Sequence, residues 1–293
     1  MKIDTALAQA LVREQFPKWA DLPIAPVANS GWDNRTFHLG DQMTIRMPSD
    51  AAYAPQVGKE QHWLPILARE LPLDIPIPVV LGEPGCGYPW QWSIYQWING
   101  ETASSEKILD MGQFSKELAR FLLALQKIKA RGGPPAGAHN FFRGGPLVTY
   151  DAEVQRALNI LSGTIDTATA QSIWETALSS EWQKPPVWVH GDVSPRNLLV
   201  EKSRLVAVID FGCLGVGDPA CDLVMSWTFF DRSVRKVFRQ ALPLDKATWA
   251  RARGWALWKA LIVYAQLPGT DPKERDNSSR VIEEVMADFI SDR

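Results

Sequence analysis

A short stretch in the second half of the chain combines residue types that can move a phosphate group. The residues HGDVSPRN occupy positions 190–197, and IDFG occupies positions 209–212. An aspartate in a tight loop, here Asp192, can accept the proton of a hydroxyl, while the carbonyl oxygen of Asn197 and the carboxylate of Asp210 suit Mg²⁺. Phosphate transfer from a nucleotide to a hydroxyl needs these parts and little covalent chemistry from the protein. The spacing predicts a phosphate-transfer site with Asp192 as catalytic base and Asn197 and Asp210 as metal ligands.

The elements around this stretch must present it as a loop. Val187–Val189 and Leu205–Ile209 are short apolar runs that predict β-segments on either side of it. Glu106–Lys129 has the strongest amphipathic pattern in the chain and predicts a long helix. Further helical patterns cover residues 150–162, 167–182, 220–229, 233–241, 246–266 and 279–291.

The first hundred residues have a different, strand-rich character. Two partly alternating segments around a Gly-Asp-Gln turn predict a β-hairpin, and an aromatic run that ends at Asn99-Gly100 predicts a buried strand. Residues 72–89 hold five prolines and three glycines, so we expect mostly turns and extended segments there. The predicted elements of this part are helix 4–16, strands 35–39 and 43–47, helix 52–71 and strand 90–98.

With these motifs the chain resembles the aminoglycoside phosphotransferase family, relatives of choline kinase and of the eukaryotic protein kinases. The segments HGDVSPRN and IDFG carry the resemblance, together with GDPACDL at 217–223. The resemblance implies an α+β, bilobal protein-kinase-like fold, with a small β-rich N-terminal lobe and a larger, mostly helical C-terminal lobe. It places a nucleotide-binding lobe at residues 1–98, ending at the hinge. The catalytic loop, metal site and acceptor-binding region then fall in residues 99–293.

The resemblance also implies ATP and Mg²⁺ as cofactors and a set of side chains that hold the nucleotide. Ser30 and Asn34 lie in a loop with a single glycine, where protein kinases have a glycine-rich loop. Arg46 stands in place of the usual phosphate-binding lysine, and Glu60 in the following helix would orient it through an ion pair. Lys59 is the alternative phosphate ligand, but it points about 100° away from Glu60 around a helix, so we expect only one of the two to face the site well.

Other family residues act through the backbone or through buried contacts. By resemblance, the Gln96 carbonyl and the Ile98 amide at the hinge would hold adenine. Asp222 would be a buried acid that braces the catalytic loop, and Asp218 would be architectural. His190 is expected to hydrogen-bond within the loop rather than to transfer protons.

The acceptor is predicted to be a small hydroxylated molecule, and the sequence leaves its class open. An aminoglycoside-like antibiotic, a macrolide, a choline-like amine, a hydroxylated amino acid and a sugar all occur in the family. Polycationic aminoglycosides favour an acidic pocket, yet residues 101–293 carry 24 basic and 23 acidic side chains. The Gly- and Pro-rich loop 131–146 is a candidate acceptor lid, with Arg143 and Phe142 as candidate substrate contacts.

Two helical patterns near the C-terminus have alternative interpretations. Trp255 and Trp258 are three residues apart, a spacing that favours packing in a core over a ligand cage. The acidic residues Glu283, Glu284 and Asp288 predict either a rim of the acceptor site or, as is more usual, a solvated helix face.

Composition excludes several classes of protein. The 293 residues carry a net charge of −2 and no run of about 20 apolar residues, which argues against a nucleic-acid-coating protein and against a membrane span. Residues 1–16 carry Lys2, Asp4, Arg13 and Glu14 and do not resemble a signal peptide. Cys86, Cys213 and Cys221 lack the spacing of a zinc site or of a disulfide framework. We therefore expect a soluble cytoplasmic enzyme with no nucleic-acid or membrane partner; the sequence carries no signal of oligomeric state.

A rival from another class is a pseudo-kinase that binds nucleotide and serves as a regulator or scaffold. Arg46 and the sparse glycine loop motivate it. The presence of Asp192, Asn197 and Asp210 together argues against it, because a chain without catalysis has no need of all three.

Overall fold

A computed structural model describes residues 2–28, 31 and 33–292. Its N-terminal region is built on an antiparallel sheet with strand order β1-β2-β3-β5-β4. The predicted hairpin is present as β2 and β3, with Phe37 opposite Ile45. The elements of this region are α1 (Thr5–Gln15), β1 (Ile24–Pro26), β2 (Asn34–Leu39), β3 (Met43–Pro48), α2 (Pro55–Leu67), β4 (Pro78–Gly82) and β5 (Trp92–Gln96).

The sheet separates two layers of side chains because successive residues of a strand point to opposite faces. Ile45 of β3 and Ile94 of β5 pack in a cluster with Leu11 of α1. Their neighbours Arg46 and Tyr95 therefore project from the opposite face, on which α2 packs. This alternation delivers Arg46 to the side of the sheet that meets the rest of the protein.

The C-terminal region is mostly helical. Its longest buried element is α8, which packs against α5 and α9, and α3 packs against α7 and β7. Asp110 caps α3 by accepting from the backbone N–H of Gln113 at 2.8 Å. The elements are β6 (Glu101–Thr102), α3 (Met111–Lys127), α4 (Asp151–Ile160), α5 (Thr167–Leu178), β7 (Val187–Val189), β8 (Leu198–Glu201), β9 (Arg204–Val208), β10 (Gly215–Gly217), α6 (Met225–Thr228), α7 (Arg232–Ala241), α8 (Lys246–Tyr264) and α9 (Arg275–Ser291).

The predicted α+β architecture is confirmed, with some differences in the elements. Residues 72–89 were expected to be turns and extended segments, and one of the extended segments is the strand β4. This strand lies at the edge of the sheet and starts at Pro78, positions at which a missing backbone N–H is tolerated. The single helix predicted over 220–229 is a 3₁₀ turn, Pro219–Leu223, followed by the short α6. Within the part of the chain that the structure describes, no helix is both long and apolar enough to cross a membrane.

Candidate active site

The loop between β7 and β8 carries the proposed base. Asn197 closes a 3₁₀ turn just before β8, and its side-chain nitrogen donates to the Asp192 carbonyl at 2.8 Å and to Asp192 Oδ2 at 2.9 Å. Both amide hydrogens of Asn197 are thereby directed at Asp192. The arrangement fixes the Asp192 carboxylate. It leaves the side-chain oxygen of Asn197, Oδ1, as the atom available to a cation.

A buried acid braces this loop from behind. Asp222 accepts from the backbone N–H of His190 at 2.8 Å and of Gly191 at 2.7 Å, and burial raises its pKa. His190 donates through Nε2 to the Ile209 carbonyl at 3.0 Å and accepts through Nδ1 from the Asp192 N–H at 3.2 Å. These bonds use both ring nitrogens, so the structural roles expected of Asp222 and His190 are confirmed.

Gly191 is required by the close packing of the loop. Its φ is +83°, and a Cβ there would lie 2.5 Å from the carbonyl oxygen of Cys213. No other residue fits both the left-handed backbone and this contact. The same built Cβ would lie 3.0 Å from Cβ of Arg143, which places Arg143 directly against the loop that carries Asp192.

Arg46 connects the N-terminal sheet to the proposed metal ligand. Its Nη1 lies 3.3 Å from Glu60 Oε1, so the predicted ion pair is present. Its Nη2 donates to Asp210 Oδ1 at 2.9 Å, which spans the two regions of the protein. Glu60 is buried and also accepts from the hydroxyl of Tyr95 at 2.5 Å. One guanidinium therefore serves two carboxylates, as a planar fork of donors allows and a lysine ammonium does less well.

Asp33 is a third acid at the guanidinium, and the sequence analysis assigned it no role. Its Oδ2 lies 4.0 Å from Arg46 Nη2. Burial, together with the negative charge of Asp210, raises the pKa of Asp33 to about 6. Its place in the loop beside Asn34 was the only sequence signal. We call the space between the N-terminal sheet and the catalytic loop the cleft. Asp33, Glu60 and Asp210 make it rich in negative charge, which suits a cation brought by a nucleotide.

Lys59 also reaches the cleft, so the expectation that only one of Lys59 and Glu60 would face the site was wrong. Lys59 Nζ donates to the Gly212 carbonyl at 2.7 Å and contacts His139 Nδ1 at 3.2 Å. Burial lowers the pKa of Lys59 to about 8. The lysine side chain is long enough to reach the site although its Cα lies about 100° around the helix from that of Glu60. Through it, α2 contacts both the IDFG segment and the loop 131–146.

Two of the remaining predicted nucleotide contacts lie at opposite ends of β3, because Asn34 pairs with Pro48 and Gln96 pairs with Met43. Asn34 is buried at the start of β2 and donates to Asp33 Oδ2 at 3.0 Å. Gln96 ends β5, its N–H bound to the Ile77 carbonyl at 3.0 Å, and Ile98 follows in the irregular segment between β5 and β6. Ser30 lies outside the described residues. The geometry leaves the roles of these four residues as predictions.

On the other side of the catalytic loop, the segment 131–146 is irregular, as expected, apart from a single 3₁₀ turn at Ala138–Asn140. Phe142 is exposed and has a left-handed φ of +53°. The Arg143 guanidinium lies 5.1 and 5.0 Å from the ring centres of Trp255 and Trp258. Both tryptophans are buried in α8 and belong to its hydrophobic core, so the predicted packing role is confirmed.

Comparison with known families decides the class of the protein. The model of the phosphotransferase enzyme family, APH, matches residues 24–255. The chain belongs to this family. It is therefore a member of a family of phosphotransferase enzymes, and the resemblance stated from its motifs is confirmed. A comparison with curated protein sequences found no match.

Solved structures support the phosphotransferase fold over nearly the whole chain. The GDP and kanamycin complex of APH(2")-IIia is 17% identical, with a TM-score of 0.75 over 96% of this chain and 98% of that one. The GDP complex of wild-type aminoglycoside 2'-phosphotransferase-IIIa is also 17% identical, with a TM-score of 0.73 over 98% and 100%. The macrolide 2'-phosphotransferase MphH from Brachybacterium faecium is 18% identical, with a TM-score of 0.62 over 95% and 98%.

The donor atoms of this phosphotransferase fit a magnesium ion that arrives with phosphates. Among the described residues, no group of three or more His, Cys, Asp or Glu side chains is arranged to hold a metal by itself. Asn197 and Asp210 offer two oxygen donors instead. Mg²⁺ is commonly bound by one or two protein oxygens together with substrate phosphates and water, so a sparse oxygen set is what this ion needs.

Proposed function

We propose that the protein transfers the γ-phosphate of ATP to a hydroxyl group of a small molecule, with Mg²⁺ as cofactor. The observation that carries the proposal is that Asn197 binds Asp192 and accepts through its backbone carbonyl from Ile209, the residue before Asp210, while Arg46 binds Asp210. Asp192 and Asn197 come from one loop, and Asp210 and Arg46 come from two other segments of the chain. They match the parts that phosphoryl transfer requires.

Asp192 is the proposed base. The acceptor oxygen forms a bond to the γ-phosphorus, the bond from that phosphorus to the β,γ-bridging oxygen breaks, and ADP leaves with the electron pair. The hydroxyl proton passes to the Asp192 carboxylate. Asn197 holds this carboxylate at 2.9 Å from its amide nitrogen, so the base is oriented before the acceptor binds.

Asn197 and Asp210 would hold Mg²⁺, which supplies charge neutralisation at the phosphates when bound. Arg46, oriented by Glu60, would contact phosphate oxygens, with Asn34 and Ser30 as further contacts in the short loop. Because Arg46 donates to Asp210 in this structure, we infer that it exchanges part of this bond for phosphate contacts on nucleotide binding.

The hinge residues complete the proposed nucleotide site. The Gln96 carbonyl and the Ile98 N–H would recognise the adenine edge, and both follow directly from the end of β5. The solved neighbours include GDP and ADP complexes, which supports nucleotide binding at this place in the fold. We propose residues 1–98 as the nucleotide-binding lobe and residues 99–293 as the lobe that binds the acceptor.

The proposed acceptors are molecules like those that similar solved structures bind or are named for. Structures similar to this chain carry kanamycin, streptomycin or gentamicin, or belong to macrolide 2'-phosphotransferases. An aminoglycoside-like antibiotic or another hydroxylated metabolite is the starting set for this protein. Phe142 and Arg143 are the proposed contacts to it, since Arg143 lies against the loop that carries Asp192.

One observation favours an alternative, a pseudo-kinase that binds nucleotide without transferring phosphate. Arg46 occupies an oxygen of Asp210, one of the two proposed metal ligands. If this bond persisted in the nucleotide complex, the metal site would be incomplete, and the protein would serve as a regulator or scaffold.

Phosphate transfer from ATP over a panel of acceptors, with Mg²⁺ added or chelated, separates the two functions. We expect Mg²⁺-dependent transfer in the wild type and at least a ~100-fold loss in Asp210→Asn, because a metal-binding charge is removed. Asp41→Asn, the same change at the exposed hairpin tip, is the matched control and should retain full activity. ATP binding without transfer to any acceptor would favour the pseudo-kinase.

A further inference from the structure

Two cations near the catalytic loop, Arg143 and Lys259, form no ion pair among the described residues. Arg143 belongs to the loop 131–146, and Lys259 belongs to α8, next to Trp258. Arg143 was predicted from the sequence as a substrate contact, whereas Lys259 was not. Their surroundings indicate the charge of the molecule that this side of the cleft accepts.

Arg143 is held close to Asp192 without an ion pair. Its Cβ lies 3.0 Å from the position of a Cβ built on Gly191, the residue before Asp192. Its guanidinium lies 5.0 Å from the ring centre of Trp258, and Tyr150 stacks on that ring at 3.8 Å. Its Nε is buried with no hydrogen-bond partner among the described residues. Aromatic faces support a cation but give it no hydrogen-bond acceptor.

Lys259 lies one helical turn after Trp255 in α8, so its side chain emerges beside the ring that the Arg143 guanidinium contacts. Among the residues that the structure describes, no acid lies within ion-pair distance of Lys259. Desolvation and the positive charge of Arg143 lower the pKa of Lys259, whereas Glu274, Asp192 and Glu153 act in the opposite direction. Two neighbouring cations of this kind attract an anion.

The acids nearest to these cations are already engaged. Glu153 accepts from Trp258 Nε1 at 2.8 Å, and Glu274 pairs with Arg196 at 3.3 Å. The carboxylate of Asp192 accepts from Asn197 and is the proposed base. The free charge on this side of the catalytic loop is therefore positive, in agreement with the absence of an acidic excess in residues 101–293.

We propose that Arg143 and Lys259 form a subsite for an anionic group of the acceptor, a carboxylate or a phosphate, so that the substrate is a hydroxylated acid rather than a polycation. The inference rests on the proposed phosphotransfer function and specifies its acceptor. A guanidinium and an ammonium next to the base would bind the anionic group and hold a nearby hydroxyl of the same molecule at Asp192.

Matched acceptor pairs that differ in one anionic group test the subsite. Glucuronate against glucose probes a carboxylate, glycerol 3-phosphate against glycerol probes a phosphate, and kanamycin probes a polycation. Product is measured by mass spectrometry with saturating ATP and Mg²⁺. We expect at least one anionic member to be phosphorylated with a kcat/KM at least ~10-fold above its neutral partner, from one or two charge-assisted hydrogen bonds.

Substitutions at Arg143 and Lys259 test whether these two side chains cause the preference for an anionic acceptor. Lys259→Met and Arg143→Met should each raise the KM for the anionic acceptor at least ~10-fold, with the KM for ATP changed less than about twofold. Arg143→Lys should restore part of the preference, which separates charge from a packing role against the tryptophans. Lys236→Met, the same change on an exposed position of α7, is the control for net charge and should match the wild type.

The outcomes separate failure of the inference from failure of the proposed function. Transfer to kanamycin or to the neutral members in preference to the anionic ones overturns the inference and leaves the phosphotransfer function standing. The inference is also overturned if the two variants raise the KM for ATP instead of that for the acceptor, or if no anionic member accepts phosphate. Loss of ATP binding by the wild type would instead reject the proposed function.

Discussion

A single carboxylate, Asp192, takes the acceptor proton in the proposed reaction. Replacement by asparagine preserves size and removes the ability to accept a proton, so we expect Asp192→Asn to lower kcat at least ~100-fold. The dissociation constant for ATP should stay within about twofold, because Asp192 contacts Asn197 rather than the nucleotide-binding sheet. Steady-state kinetics and calorimetric titration measure the two quantities. A variant with the kcat of the wild type would remove Asp192 from the mechanism, and Asp41→Asn again controls for the charge change.

Arg46 is the residue at which the chain departs from the expected lysine. The guanidinium compensates Glu60, which is buried, as well as Asp33 and Asp210. Arg46→Met would leave these acids without a counter-charge, so we expect a lower melting temperature and at least a ~10-fold weaker binding of ATP. Arg46→Lys keeps the charge and should fall between wild type and Arg46→Met in both measurements. Equal ATP affinity in Arg46→Met would show that the nucleotide phosphates are held elsewhere.

The catalytic loop depends on the short element that follows the IDFG segment. Asp222, in the 3₁₀ turn before α6, accepts from two consecutive backbone N–H groups of the loop. Asn at this position would turn its amide nitrogen toward one of these donors, at a cost of about 1–3 kcal/mol for the unpaired group. We expect Asp222→Asn to lower the midpoint of urea unfolding and to reduce kcat, since Asp192 is held by the same loop. Asp231→Asn, an exposed helix cap, should lower stability without changing kcat.

At the level of elements, hydrophobic periodicity predicted the helices whose apolar faces pack in the core. It did not predict the buried ion pairs between helices. Helix α3 was predicted because its apolar side chains repeat on one face, and the structure shortens it by five residues at its start and by two at its end, to Met111–Lys127. Asp288 was expected on a solvated face or an acceptor rim. It is instead buried and paired with Arg235 and Arg253, in contacts that join α9 to α7 and α8. A charged side chain carries no sequence signal for a partner that lies about 50 residues away.

Residues of the site that lie close together in the sequence were predictable, and residues from distant segments were not. Asp192, Asn197 and the loop around them are close in sequence, so their spacing already restricts their geometry. Asp33 and Lys259 reach the site from distant parts of the chain, and only the tertiary arrangement of sheet and helices brings them there. The same holds for Lys59, whose contact with Gly212 crosses from the N-terminal to the C-terminal region.

In the whole molecule, two cations join the N-terminal sheet and α2 to the helical region. Arg46 contacts Asp210, and Lys59 contacts the Gly212 carbonyl two residues later. Both contacts end on the segment that carries a proposed metal ligand. The relative position of the two regions therefore depends on the conformation of the IDFG segment. Nucleotide binding there would change both contacts at once.

The Lys59 contact predicts a pH dependence of stability. Burial lowers the pKa of Lys59 to about 8 in the folded protein, whereas the unfolded chain has the ordinary lysine value of 10.5. Below pH 8 both states bind the proton, and the folded state carries the full cost of the buried charge. Between pH 8 and 10.5 the unfolded state binds more protons, so the stability contributed at Lys59 rises with pH. Lys59→Met removes this titration.

We therefore expect the difference in unfolding free energy, wild type minus Lys59→Met, to increase by on the order of 1 kcal/mol between pH 7 and pH 9.5. Urea unfolding of both proteins at the two pH values measures it, and the difference between variants cancels the titration of all other groups. The hydrogen bond to Gly212 that the variant loses adds a nearly constant offset, because a neutral amine still donates. A difference that stays constant or decreases would mean that Lys59 remains solvated, and that α2 and the Gly212 segment are not held together in solution.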